Sequence, residues 1–369
     1  MQKMVSVKSD ALRYAREYYN VSLEEVCSKT KIKIDVLEKY EKGDDFPSYA
    51  QLEKLASYYN RPVFFFFSNY RPETSKVQVA FRSIQNSNHV TLPKQTRELI
   101  EKADLYRLNL LELYKDDDKS TFSDLLKENS CSKQEDLMAL LRDKLELSLE
   151  KQVSFPNANK LLEYAREKLY DIGIYVFKDS FRDNSISGLC IYDDSFPIVL
   201  LNNKATFNRQ LFTLFHEIYH IYTKEADVDF VARNEESACN TFASEFLIPE
   251  KDLLNEIEMV DELVNKSVID DLAKRYNVSA DAIMYRLVKM GKLDGSFYNQ
   301  NRISDFRQSK SSSGNFYNTK ISYLGNSYLN KIFSSYYAGN ISKAQVGIYT
   351  SLRSANVSKL ASKMFGGGF

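Results

Sequence analysis

Along most of the chain, apolar positions recur at the three-to-four-residue spacing of helices that bury one face; they close up into short continuous runs at 62–67 and around residues 174–202. Residues 9–60 read as a small helical bundle. ALRYAREYY has helical spacing, and Ser22 is a good N-cap for LEEVCSKT, with Glu25 three residues later completing a capping box. KIK reads as a turn and DVLEKYEK as a second short helix stopped by Gly43. After Pro47, SYAQLEKLASYY is a further helix capped by Ser48. Two short helices across such a turn make a helix-turn-helix. TRELIEKADLYRLNLLELY is strongly amphipathic and lies between solvated connections at 71–80 and 115–120.

The pattern becomes mixed from about 137 to 295. NANKLLEYAREKLYDI predicts a helix, GIYVF a strand, and SGLCIY with PIVLLN a strand pair. The apolar run LFTLFHEIYHIYTK, 211–224, follows as a helix. Residues 267–293 repeat helix-turn-helix spacing, with Leu272, Ala273, Val278, Ile283 and Leu287 as the expected core. RQSKSSSGN at 307–315 reads as a loop, and the end holds one or two further helices and a Gly-rich tail, MFGGGF. The expected division is a helix-turn-helix domain at 1–70, a helical linker at 71–136, an α+β domain at 137–295 and a helical extension at 296–369.

Composition narrows the function classes. Fifty Lys and Arg balance fifty Asp and Glu, so no global field draws the chain to nucleic acid or anionic lipid, and any DNA contact must be local. Four scattered cysteines with no CxxC pair fit a reducing compartment and argue against a Cys-type zinc site. The longest strongly apolar run, PVFFFF at 62–67, is too short to span a membrane, and no signal peptide is read; the expectation is a cytoplasmic protein without membrane contact.

Candidate chemistry centres on His216, Glu217 and His220, in a chain with only three histidines. Helical residues four apart differ by about 40° in direction and about 6 Å in height, so both imidazoles can grip one ion. Glu217 lies near the same face and can serve as general base, the physical content of HExxH. The alternative is a core helix whose two histidines make ordinary hydrogen bonds. A zinc site needs a third protein ligand and an open fourth position. His89 lies in another segment, whereas NEESACNTFASEFLIP, 234–249, offers Glu236 to complete a His₂Glu set and Asn240 to hydrogen-bond a ligating imidazole. Glu235 competes with Glu236, and both also suit a solvated helix N-terminus. An extended peptide could pair with the edge of the PIVLLNN strand just before the metal helix. Tyr285 and Arg286 are candidates for stabilising an oxyanion.

FTLFHEIYHIY together with EESACNTFASEFLIP resembles the zinc peptidase domain of the ImmA/IrrE family, whose members show FTxxHExxH and then ExxANxFAxxLLxP. The resemblance implies a zincin-like (gluzincin) α+β domain in a mainly α chain, with Zn²⁺ held by His216, His220 and Glu236, and Glu217 as general base. The N-terminal region is similar to Xre/Cro-type helix-turn-helix domains, a recurring fusion, and Phe81–Arg82 with the stretch ISYLGNSYLNKIFSSYYAGNISKAQVGIY looks like the longer fused members. The implied activity is site-specific cleavage of a DNA-binding repressor, relieving repression in stress or mobile-element control. Two positions depart from the pattern: Tyr219 stands where Gly is common and is expected to narrow or reshape the helix surroundings, and Cys239 replaces Ala with little expected effect.

A second function class remains: a DNA-binding regulator or antitoxin-like partner whose zinc domain senses or scaffolds. The major-groove candidates are Lys33, Ile34, Asp35, Val36, Glu38 and Lys39. Lys31 stands where the Xre turn commonly has Gly, so it needs a left-handed conformation or a different turn. Residues 1–61 carry eleven Lys/Arg and ten Asp/Glu, not a basic domain. Docking, homo-oligomer formation, or mimicry of a repressor's own helix-turn-helix are the other uses of this bundle.

Overall fold

The computed structural model describes residues 6–68, 78–80, 93–115, 117, 120–183, 186–225, 232–258, 265–301 and 315–366. They belong to two compact units, residues 1–76 with 87–102, and residues 77–86 with 103–369. The Phe81–Arg82 pair and His89 lie outside the described residues, as does most of the RQSKSSSGN loop.

The first unit holds α1 (Ser9–Tyr18), α2 (Leu23–Thr30), α3 (Ile34–Lys42), α4 (Tyr49–Tyr58) and a 3₁₀ turn, Val63–Phe67. Ala11, Leu12, Val26, Leu37, Leu52 and Phe66 are among its core residues. The Ser22 side chain caps α2 by accepting the Glu25 N–H, but the Glu25 carboxylate does not return the bond. It accepts instead from the Tyr58 hydroxyl at 2.9 Å, so the expected box is half made. The full box forms at α4, between Ser48 and Gln51. Lys31 adopts the left-handed conformation (φ 62°), and its N–H bonds Cys27 O, turning the chain from α2 into α3 without glycine. Lys33, Asp35, Glu38 and Lys39 are exposed on α3, while Ile34 and Val36 are partly buried.

The second unit is mainly helical around one small sheet. Its elements are β1 (Gln78–Ala80), the later part of α5 (Lys94–Leu113), α6 (Phe122–Glu128), α7 (Gln134–Lys144), α8 (Leu149–Ser154), α9 (Ala158–Asp171), β2 (Tyr175–Asp179), β3 (Gly188–Tyr192), β4 (Ile198–Asn202), α10 (Phe207–Glu225), α11 (Ala232–Leu247), α12 (Glu250–Glu258), α13 (Lys266–Tyr276), α14 (Ala280–Lys289) and α15 (Gly295–Asn301). The C-terminal extension supplies α16 (Phe316–Leu324), α17 (Asn326–Tyr337), α18 (Lys343–Thr350) and α19 (Ser354–Phe365), more helices than the sequence reading expected.

Strand order is β1-β3-β4-β2; β3 runs antiparallel to β1 and β4, and β2 runs parallel to β4. Every residue of β4 is buried, which explains its unbroken apolar run. It also corrects the expectation that a peptide could pair with this strand, because β2 and β3 already occupy both of its edges. α10 follows β4 and packs on β3, β4, α9 and α11. The five residues expected to form the α13–α14 core are all buried. Among the described residues no helix is long and apolar enough to cross a membrane.

Candidate metal centre

α10 begins where the Thr206 hydroxyl accepts the Arg209 N–H, and it enters the core with apolar residues on most of its circumference. His216, Glu217 and His220 are each 0% exposed. Polar groups this deep need partners, and α11 supplies them to the two imidazoles. Asn240 Oδ1 lies 3.2 Å from His216 Nδ1 and accepts its N–H, which leaves the Nε2 lone pair facing inward.

His216 Nε2 and His220 Nε2 stand 3.2 Å apart. Glu236 Oε2 is 3.5 Å from the first and Glu236 Oε1 3.5 Å from the second. Three electron-pair donors thus converge on one point. Bonds of about 2.0–2.2 Å from a tetrahedral zinc place its N and O ligand atoms about 3.3–3.6 Å apart. The observed spacing fits that ion, and Glu236 Oε1 is buried without a hydrogen-bond donor among the described residues. The imidazoles are sealed in, whereas the Glu236 side chain is 23% exposed, so the group opens to solvent on that side.

Cys239, one turn after Glu236 on α11, is also close. Its thiol and one nitrogen from each histidine lie within 4.8 Å of one another. Burial raises the thiol pKa, with His220 opposing. The sequence reading had dismissed this cysteine as an Ala replacement. The side chain of Glu235, the expected competitor of Glu236, lies outside the described residues.

Glu217 sits against β3. A Cβ added at Gly188 would stand 3.4 Å from Glu217 Oε1 and 2.5 Å from Thr213 Cγ2, so only glycine lets the strand come this near. Two residues along the same strand face, the Cys190 thiol neighbours the Glu217 carboxylate; burial first, then that charge, push the thiol pKa well up. Sequence reasoning missed both neighbours, although a glycine opening an apolar strand is the signal of close approach.

Tyr219 reshapes the helix surroundings through aromatic packing. It stacks on Phe242 of α11 at 4.8 Å, and Phe215 meets Phe246 at 4.2 Å, so aromatic pairs fasten α10 to α11. Arg286 is buried, with Nη1 2.9 Å from Glu245, Nη2 3.2 Å from Glu250 and Nε donating to Ile248 O. These three partners engage its guanidinium. Tyr285 is placed beside Tyr298 and Lys289.

Residues 170–288 match a peptidase family described as the IrrE N-terminal-like domain. The matched span contains β2, β3, β4, α10 and α11, and therefore every residue of the convergent group. The match supports a metallopeptidase-type function. No curated protein matches the chain.

Proposed function

We propose that the chain is a zinc-dependent endopeptidase with a zincin-like second unit. His216, His220 and Glu236 hold the ion, Asn240 orients His216, and Glu217 is the general base. The observation that carries this reading is the convergence of two Nε2 atoms and a carboxylate at 3.2–3.5 Å. A zinc ion held by these residues would supply Lewis acidity toward a peptide carbonyl and would make an attacking water more acidic. Glu217 takes a proton from the attacking water at a carboxylate oxygen. It then gives that proton to the departing amine nitrogen as the amide C–N bond breaks. The Gly188 approach and the packing around α10 hold this carboxylate in place and exclude other water.

Glu217→Gln tests the assignment. The variant should bind about one zinc per chain, as the parent does, and lose a factor on the order of 10²–10⁴ in cleavage rate. A variant that cleaves as fast as its parent removes the general-base role. The substrate class the resemblance implies is a helix-turn-helix repressor; the neighbouring gene product is the first protein to assay.

A second reading is favoured by the first unit. Lys31 makes a sharp turn between α2 and α3, and α3 exposes Lys33, Asp35 and Lys39, as a helix-turn-helix would. On that reading the chain binds DNA or acts as an antitoxin-like partner. A gel shift with its own upstream DNA at low salt should show retardation that weakens steeply with added salt; no retardation sinks it.

A further inference from the structure

The sheet has one edge beside Glu217, and the chain covers it with its own residues. Ser187 O accepts the Asn202 N–H, so the period-two alternation aims the polar groups of Leu189 and Ile191 at β4 and those of Gly188, Cys190 and Tyr192 at the opposite side. That outer side pairs with β1: Ala80 stands opposite Cys190, Val79 opposite Ile191 and Gln78 opposite Tyr192. At the far edge, β2 is differently closed. Tyr175 N–H bonds Pro197 O, which turns the Val176 carbonyl outward, where Arg166 caps it with Nε and Nη2.

We infer that Gln78–Ala80 occupy the edge at which an extended substrate would dock, and that they must leave before a substrate can reach Glu217. The inference rests on the peptidase reading above. Three observations carry it. A Cβ built on Gly188 would stand 3.4 Å from Glu217 Oε1, with the Cys190 thiol on the same strand face, so a strand paired to β3 runs about one strand spacing, about 4.8 Å, from the strand beside the base. β4 offers no edge and β2 is capped. Among the described residues β1 is Gln78–Ala80 and it ends the sheet, so it is held there from one side only. Main-chain pairing of this kind accepts one extended segment in place of another.

The test uses the full chain carrying Glu217→Gln, with residues 78–80 either intact or changed by Gln78→Pro and Ala80→Pro. Both prolines remove N–H groups that face β3. The probe is a fluorescent peptide with the sequence of residues 75–83, SKVQVAFRS. The proline chain should bind it at least tenfold more tightly than the intact chain. Equal affinity for both chains, or binding to neither, overturns the inference. Hydrogen exchange supplies the folding control. In the proline chain the Cys190 and Tyr192 amides should exchange at least tenfold faster, and saturating peptide should slow them again. The Leu189 and Ile191 amides, bonded to β4, should stay slow throughout; if they too become fast, β1 is needed for the fold and the inference fails. None of these readouts needs turnover, so loss of the peptidase reading shows separately, as absent zinc or absent cleavage by the parent chain.

Discussion

His216 has a defined tautomer because Asn240 Oδ1 accepts a hydrogen bond from its Nδ1–H, and the ion-facing lone pair on Nε2 follows from that one bond. Asn240→Ala should therefore lower zinc affinity by about 10–100-fold without unfolding the chain, measured by competition with a chromophoric chelator. Two side chains of α11 compete for the third position. The Glu236 oxygens reach both Nε2 atoms at 3.5 Å, whereas Cys239 is placed only within 4.8 Å. Glu236→Ala should abolish stoichiometric zinc, and Cys239→Ala should leave it intact; elemental analysis of the two variants decides between the donors. The histidine pair, Glu217, Glu236 and Asn240 were legible because fixed helical spacing turns sequence offsets into directions. Cys239 was not, since its nearness to the imidazoles depends on packing depth, and neither was the clamp on Arg286, because Glu245 and Glu250 reach it from other helices.

Helices announced themselves through caps and spacing. The α4 box and the Gly43 stop of α3 are local chemistry, written in consecutive residues. The order of the strands is not local. PIVLLN reads as apolar in any position, and its place in the middle of the sheet, closed by β3 and β2, comes from partners far along the chain. β1 was read as part of a solvated connection for the same reason, because three residues carry too little pattern. α10 comes close to β3 at one glycine, Gly188. Gly188→Ala would press its methyl into Thr213 Cγ2 and crowd Leu200 O and Glu217. The expected cost is about 1–3 kcal/mol, read as a lower urea midpoint at unchanged m-value.

At the scale of the second unit, one buried cation joins segments that the sequence shows no reason to connect. Arg166 of α9 is 4% exposed at its side chain. It donates to Val176 O in β2, to Glu163, and to the Ser322 and Tyr323 carbonyls at the end of α16. Gly325 (φ +83°) follows those carbonyls, and a Cβ there would stand 3.2 Å from Arg166 Nη2. Glu163 also accepts from Lys178 Nζ at 2.6 Å, and Lys178 is fully buried. The extension is thus tied to the α+β core through a network centred on two cations and a carboxylate. Arg166→Ala leaves three carbonyls without this donor and Glu163 with one cation instead of two. It should destabilise the unit by about 3–5 kcal/mol and speed hydrogen exchange in α16 and α17 before the β3–β4 ladder. The network also sets an acid limit. Burial pushes the Glu163 pKa up, but Arg166 and Lys178 outweigh it and hold the carboxyl below its ordinary value. A depressed pKa contributes stability that is complete above the unfolded value of about 4.3 and is lost as pH falls through the folded one. Stability of the parent should therefore drop more steeply below about pH 4 than that of Glu163→Gln, which lacks this proton uptake. Denaturant midpoints measured from pH 6 to pH 3 check the sign; parallel curves for the two chains would mean that the ion network does not couple the extension to pH.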